Sequence, residues 1–198
     1  MCSMTWLYDA HIHLSDAEYE HDIPLILNCM KRLCIKACCV SMDYTSSKKT
    51  LELGKQSDFI LPFIGVHPEK AQDGVESTFK LIDENNETIS GIGEIGLDTT
   101  YTNSDEEFQK QEEVFKTQLS YAEKFGKPVS IHSRKTLDQI LEILPSYKVP
   151  SVLLHWFDGS KKQLQKAMDL DCYVSFGPVM VYSKDKQVLL SKANKDKI

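Results

Sequence analysis

No stretch of this sequence approaches the roughly 20 consecutive apolar residues that cross a bilayer, which excludes a helical span. Positive charge is also in short supply. The chain carries 23 Lys and Arg against 29 Asp and Glu, for a formal charge of −6. That balance argues against a broad cationic footprint for duplex DNA or an acidic membrane. It leaves room for an anionic substrate held by metal ions, because a bound cation dominates its local field. The first residues, Met1-Cys2-Ser3-Met4-Thr5, lack the basic and apolar regions of a signal peptide. Six cysteines without an export signal read as reduced thiols of a cytosolic-type compartment, cytoplasmic or, in a eukaryotic cell, nuclear. The spacing of Cys29, Cys34, Cys38 and Cys39 is too irregular for a zinc site, so buried thiols are expected. Linkers, repeats and low-complexity segments are absent, and residues 1–198 read as one domain with no obligate protein partner.

What is present is an alternation of strand and helix. The apolar run Thr5-Trp6-Leu7-Tyr8 has the β-branched and aromatic character of a buried strand. Asp22 with Pro24 starts a helix whose stripe is Leu25, Ile26, Leu27, Met30 and Leu33. Ile35 to Val40 is the second strand, Lys48 to Gln56 a helix, and Phe59 to Val66 the third strand, ending at His67. A helix near Val75 to Glu84 leads to the fourth strand, Ile89 to Gly93, ending at Glu94. Ser104 or Asp105 opens the longest helix, with Phe108, Phe115, Leu119 and Ala122 on one face; Gly126 and Pro128 stop it. The fifth strand, Pro128 to Ile131, ends at His132. After a helix over Thr136 to Leu144 comes the sixth, Val152 to Leu154, ending at His155. A helix over Lys161 to Leu170, a strand over Cys172 to Phe176 and a helix over Lys184 to Lys192 complete the order.

This alternation predicts an α/β fold of parallel strands with helices outside. Seven such units are one short of a TIM-type (β/α)₈ barrel, whose eighth strand would begin about where the sequence stops. The expectation is therefore a barrel with its eighth strand missing or incomplete.

Of six histidines, five fall at the carboxyl ends of predicted strands, the rim where parallel barrels place their chemistry. His11 and His13 lie two apart on one strand and so point the same way. They would hold one cation; His132 and His155, from neighbouring strands, would hold a second; and Glu94 has two oxygens with which to bridge both. Two ions about 3.5–4 Å apart can lower the pKa of a water between them and clamp an in-line displacement, which suits phosphate ester hydrolysis. Nitrogen-rich ligation favours Zn²⁺ or Mn²⁺ over Mg²⁺. Ser133 has no activating base and is not read as a nucleophile.

The stretches Asp9-Ala10-His11-Ile12-His13-Leu14, Gly65-Val66-His67-Pro68, Gly93-Glu94-Ile95-Gly96-Leu97-Asp98, His132-Ser133-Arg134 and His155-Trp156-Phe157-Asp158-Gly159 occur in that order. Together they resemble the signatures of the TatD-type metal-dependent deoxyribonucleases, which are amidohydrolase-like metallo-barrels. The resemblance runs from Tyr8 to about Pro178. It implies two divalent ions (Mg²⁺, Mn²⁺ or Zn²⁺) held by His11, His13, Glu94, His132 and His155. It further implies hydrolysis of phosphodiester bonds, as a 3'–5' exonuclease on single-stranded DNA ends, with Glu94 and His67 in the catalytic machinery. His67 would touch the scissile phosphate or assist proton transfer. Arg134 would offer its planar fork to phosphate oxygens, the alternative being a rim ion pair. Asp98 would orient a ligand or loop from behind. Trp156 and Phe157 would either stack on a nucleobase or fill the barrel mouth.

Family members also carry an aspartate at the end of the eighth strand, a ligand to the ion held here by His11 and His13. The sequence ends at Lys195-Asp196-Lys197-Ile198, and Asp196 is too early to stand in for it. A fragment, a truncated or spliced form, or a degenerate copy is the expectation. The alternatives to a nuclease are a hydrolase of another small phosphate ester or amide, and a catalytically impaired product that acts by binding a partner.

Overall fold

The structure is a computed structural model that describes residues 5–198. Met1 to Met4, and with them Cys2 and the expectation about an export signal, lie outside the described residues. The strands are β1 (Leu7–Ile12), β2 (Ile35–Cys39), β3 (Ile60–Ile64), β4 (Gly91–Asp98), β5 (Val129–Arg134), β6 (Val152–Leu154) and β7 (Tyr173–Val174). Between and after them run α1 (Ile23–Leu33), α2 (Tyr44–Gln56), α3 (Glu76–Glu84), α4 (Asp105–Phe125), α5 (Leu137–Ile143), α6 (Lys161–Asp169) and α7 (Lys184–Lys192). All seven strands are parallel and pair in sequence order, β1 to β7, as a curled half-barrel wrapped by helices. This is a TIM-type barrel without its eighth unit, as the alternation predicts.

The largest core lies between the central strands and the helices outside them. Ile92, Ile95, Leu97, Ile131 and Leu154 meet Phe115, Leu119, Ala122, Ile140 and Leu141, all essentially without solvent contact. Burying each large side chain of this kind stabilises the fold by about 1.5–3 kcal/mol. A smaller core joins α1 and α2 to the first strands through Leu14, Met30, Ala37, Cys39, Leu53 and Ile60.

Several expectations shift. The run Thr5 to Tyr8 predicts a buried strand, yet Leu7 and Tyr8 are 60% and 63% exposed. The reason is that β1 pairs only with β2, and among the described residues nothing covers its other edge. Asp22 is the N-cap of α1 but makes no capping bond; Leu25 and Leu33 face solvent, while Met30 is buried and Ile26 and Leu27 are half-buried. The second helix starts earlier than Lys48, because Asp43 and Ser46 form a reciprocal capping box at its head. β4 does not stop at Glu94 but continues to Asp98 across a register shift between Ile92 and Ile95. β7 is shorter than the apolar run that predicts it. Ser104 caps α4 through the amide of Glu107, as read from the sequence. Cys34, Cys39 and Cys172 are buried, Cys38 is half-buried, and Cys29 is exposed. Burial pushes the Cys38 and Cys172 thiols up to about 11 and Cys39 to about 12, so they stay protonated at neutral pH.

Candidate metal centre

β1 delivers His11 from within the strand and His13 just past its end. β4 delivers Glu94, β5 delivers His132, His155 stands directly after β6, and His67 follows β3 after Gly65 and Val66. Glu94 is buried, and its two oxygens divide the histidines. Oε2 lies 3.5 Å from His11 Nε2 and 3.1 Å from His13 Nε2, and Oε1 lies 3.3 Å from His132 Nδ1. The backbone locks this carboxylate in place: the Glu94 amide donates to Ser41 O at the end of β2, and the Ser41 amide donates to Gly93 O.

Burial by itself would raise the Glu94 pKa; hydrogen bonds from His11, His13 and His132 outweigh it and hold the group well below the ordinary carboxylate range. Burial would likewise lower His13 and His132, but Glu94, joined at His132 by Asp98, raises both. A cation is therefore favoured at each of these nitrogen–oxygen contacts. His67 and His155 go the other way: burial lowers them to about 4 and about 3, so both rings are neutral at pH 7.

The hydrogen bonds behind the rings decide which nitrogen faces inward. Asp98, fully buried, receives Thr100 N and Oγ1 at one oxygen and lies 2.8 Å from His132 Nε2 at the other. That contact engages Nε2 and leaves Nδ1 as the nitrogen turned to Glu94, the one that would bind an ion there. His11 Nδ1 lies 2.9 Å from Ser130 Oγ, which leaves Nε2 as the nitrogen facing Glu94 and His13. At His67 the arrangement is reversed. Nδ1 accepts the Glu69 amide at 3.2 Å, so the neutral ring carries its proton on Nε2. A ring in that form can donate a hydrogen bond from Nε2.

The donor set fits a divalent ion. His11 Nε2, His13 Nε2 and Glu94 Oε2 form a triangle with edges of 3.2, 3.1 and 3.5 Å. Neighbouring ligands of a tetrahedral ion at about 2.0–2.1 Å stand about 3.3 Å apart, close to every edge. His67, Glu94 and His132 form a second group of donors within reach of one another. His155 reaches the centre differently from the sequence expectation: its ring lies flat on His11, with centroids 3.5 Å apart and planes 6° apart. Its Nδ1 is buried without a hydrogen-bond partner, as is that of His13. The unpartnered nitrogen of His155 is one that a ligand would satisfy, whereas His13 turns its other nitrogen, Nε2, to the triangle.

Arg134 ends β5, exposed, and makes no ion pair among the described residues, so the rim ion pair considered for it is not formed. Trp156 and Phe157 separate: Trp156 is 60% exposed and Phe157 only 3%. The sequence reading missed Ser130, although it stands two residues before His132 and so shares its side of the strand. It also missed Gln111 and Gln118, seven apart on the buried face of α4. Gln118 clamps the amide and carbonyl of Val66, and Gln111 bonds the amide and carbonyl of Asp98 and the carbonyl of Pro68. A polar residue recurring within an apolar stripe was the available signal.

A parallel half-barrel whose histidines converge on one carboxylate at its carboxyl rim defines the class of metal-dependent hydrolase barrels. The comparisons with known proteins agree. The family described as TatD related DNase matches residues 8–198, and the chain belongs to it. Members of this family are named as metal-dependent hydrolases and deoxyribonucleases. The chain is 30% identical over 186 residues to "Uncharacterized metal-dependent hydrolase YabD" of Bacillus subtilis (strain 168), covering 91% of itself and 72% of that protein. It is 26% identical over 200 residues to deoxyribonuclease TATDN3 of Homo sapiens, covering 94% and 73%. Two solved structures share its fold. The TatD homologue YJJV of Escherichia coli K12 superposes with a TM-score of 0.85 at 21% identity, over 96% of this chain and 76% of that one. A TatD-family hydrolase of Entamoeba histolytica gives 0.81 at 20%, over 98% and 73%. Among the described residues, no helix is long and apolar enough to cross a membrane.

Proposed function

We propose that the chain is a phosphodiesterase that removes nucleotides from single-stranded DNA ends in the 3'–5' direction, with two divalent ions shared by Glu94. The observation that carries this reading is the division of the Glu94 carboxylate, one oxygen toward His11 and His13 and the other toward His132. His11, His13 and Glu94 would hold one ion; Glu94, His132 and His155 would hold the other. Bound ions supply charge neutralisation and water activation for in-line displacement at phosphorus. The nitrogen-rich set suits Zn²⁺ or Mn²⁺ better than Mg²⁺. His67, neutral with its proton on Nε2, donates to an oxygen of the scissile phosphate, and Arg134 offers its fork to the same group. Few basic residues stand near the rim (Arg134, Lys135, Lys161, Lys162), which suits contact with a strand end and not a long duplex. The protonated, buried thiols suit a reducing compartment such as the cytosol or nucleus.

The test is release of mononucleotides from end-labelled single-stranded DNA with Mn²⁺ or Mg²⁺. Glu94→Gln should lower the rate by about 10³-fold or more with an unchanged circular dichroism spectrum. Full activity in that variant removes the bridging role, and hydrolysis of small phosphate esters or amides with DNA left intact reassigns the substrate.

A further inference from the structure

We propose that Trp156 is a stacking platform for the nucleobase next to the phosphate held at the metal centre, a subsite for a planar heteroaromatic ring at a single-stranded end. The proposal rests on the nuclease reading and adds to it how the base, as distinct from the phosphate, is held. Trp156 and Phe157 are consecutive aromatics with opposite fates. Phe157 turns inward onto Phe176, while the indole remains 60% exposed at the rim. Exposing so large an apolar ring forgoes one of the largest burial terms available to a side chain.

The backbone holds it there. Trp156 has φ +47, a left-handed conformation that is a genuine outlier for a bulky residue. Two bonds to the end of β7 fix the segment: Trp156 N donates to Ser175 Oγ at 3.0 Å and Phe157 N to Ser175 O at 2.7 Å. Gly177 completes the seat, because a Cβ there would come within 2.9 Å of indole Cδ2 and 3.0 Å of Cε2. Strained backbone of this kind persists where the surroundings over-determine it, typically around ligand sites.

The position leads to the chemistry. The indole stacks on His155, with centroids 5.4 Å apart and planes 27° apart, and His155 lies on His11. The platform is thus two rings from the His11–His13–Glu94 triangle, about where the base stands when its own phosphate occupies the centre. Beside the indole is a cavity of about 280 Å³ with walls from Phe176, Val179 and Met180, and with Lys186 paired to Asp158 and bonded to Phe157 O. That is below the usual size of a small-molecule site and matches one ring system, with the amine at its margin. Every base has a π-face, so such a platform tolerates sequence.

The chain has two tryptophans, and Trp6→Phe leaves Trp156 as the sole indole reporter. Its emission is followed while a short oligothymidylate is added, first in excess EDTA and then with Mg²⁺ in a Glu94→Gln background, so that no strand is cut. A matched oligomer with an abasic terminal residue is titrated in parallel. The expected result is quenching by the base-bearing strand and, read by the anisotropy of a dye-labelled oligomer because this variant has no indole, binding about 5- to 100-fold weaker in Trp156→Ala for that strand only. Trp156→Gly, which suits the left-handed backbone, should show the same loss and guards against misfolding; Trp156→Phe should recover most of the affinity. Equal losses for both oligomers, or no quenching by either, overturn the proposal. Cleavage by the wild type without quenching sinks the platform alone, and quenching without cleavage by the wild type sinks the nuclease reading alone.

Discussion

At the scale of single residues the centre is governed by what stands behind each imidazole. Asp98 contacts His132 Nε2 and so turns Nδ1 toward Glu94, and the Glu69 amide donates to His67 Nδ1. Asp98→Asn keeps an oxygen for one contact and removes the charge that anchors His132. Metal affinity should fall by about 10- to 100-fold with the fold retained, as read by titration with a chelating competitor. Unchanged affinity would mean that Asp98 serves only the loop bonded through Thr100.

Elements carry the centre by clamping its loops. α4 packs Phe115 and Leu119 against the sheet and sends Gln118 to both polar groups of Val66, one residue before His67. Gln118→Leu leaves that amide and carbonyl buried without partners, at about 1–3 kcal/mol each. Urea denaturation should show a loss of about 2–4 kcal/mol. A loss under about 1 kcal/mol would show that water replaces the clamp. β4 and β5 are held just as closely. Gly96 has φ +146, and a Cβ there would meet His132 O at 2.0 Å, so only glycine lets the two strands run together where Glu94 and His132 face each other. The order of helices and strands was legible because periodicity and caps are local: Ser104, Gly126 and the β3 run mark their elements directly. The continuation of β4 past Glu94 was not, because it depends on pairing with residues 131–134, far along the chain.

Across the whole molecule, stability is uneven. β4 and β5 lie inside the sheet under α4 and α5, whereas β1 has one partner and exposes Leu7 and Tyr8. Native-state hydrogen exchange should find the amides of residues 7–12 opening about 100-fold faster than those of residues 91–98. Comparable protection in the two strands would show that a partner covers the open edge in solution. Since β1 bears His11 and sits next to His13, ligand binding at the centre bears on its most loosely held strand.

Read by itself, the sequence determined the chemistry and its order: which strands end in imidazole or carboxylate, that five of six histidines share one rim, and that the elements alternate as in a parallel barrel. Those properties follow from residue type and short-range period. The tertiary structure alone decided which atoms meet, that Glu94 divides its oxygens, that His155 lies flat on His11, that Ser130 and Asp98 orient the rings of His11 and His132, and that of two adjacent aromatics one is buried and the other held out. Such outcomes depend on contacts between residues dozens of positions apart, and no local pattern encodes them.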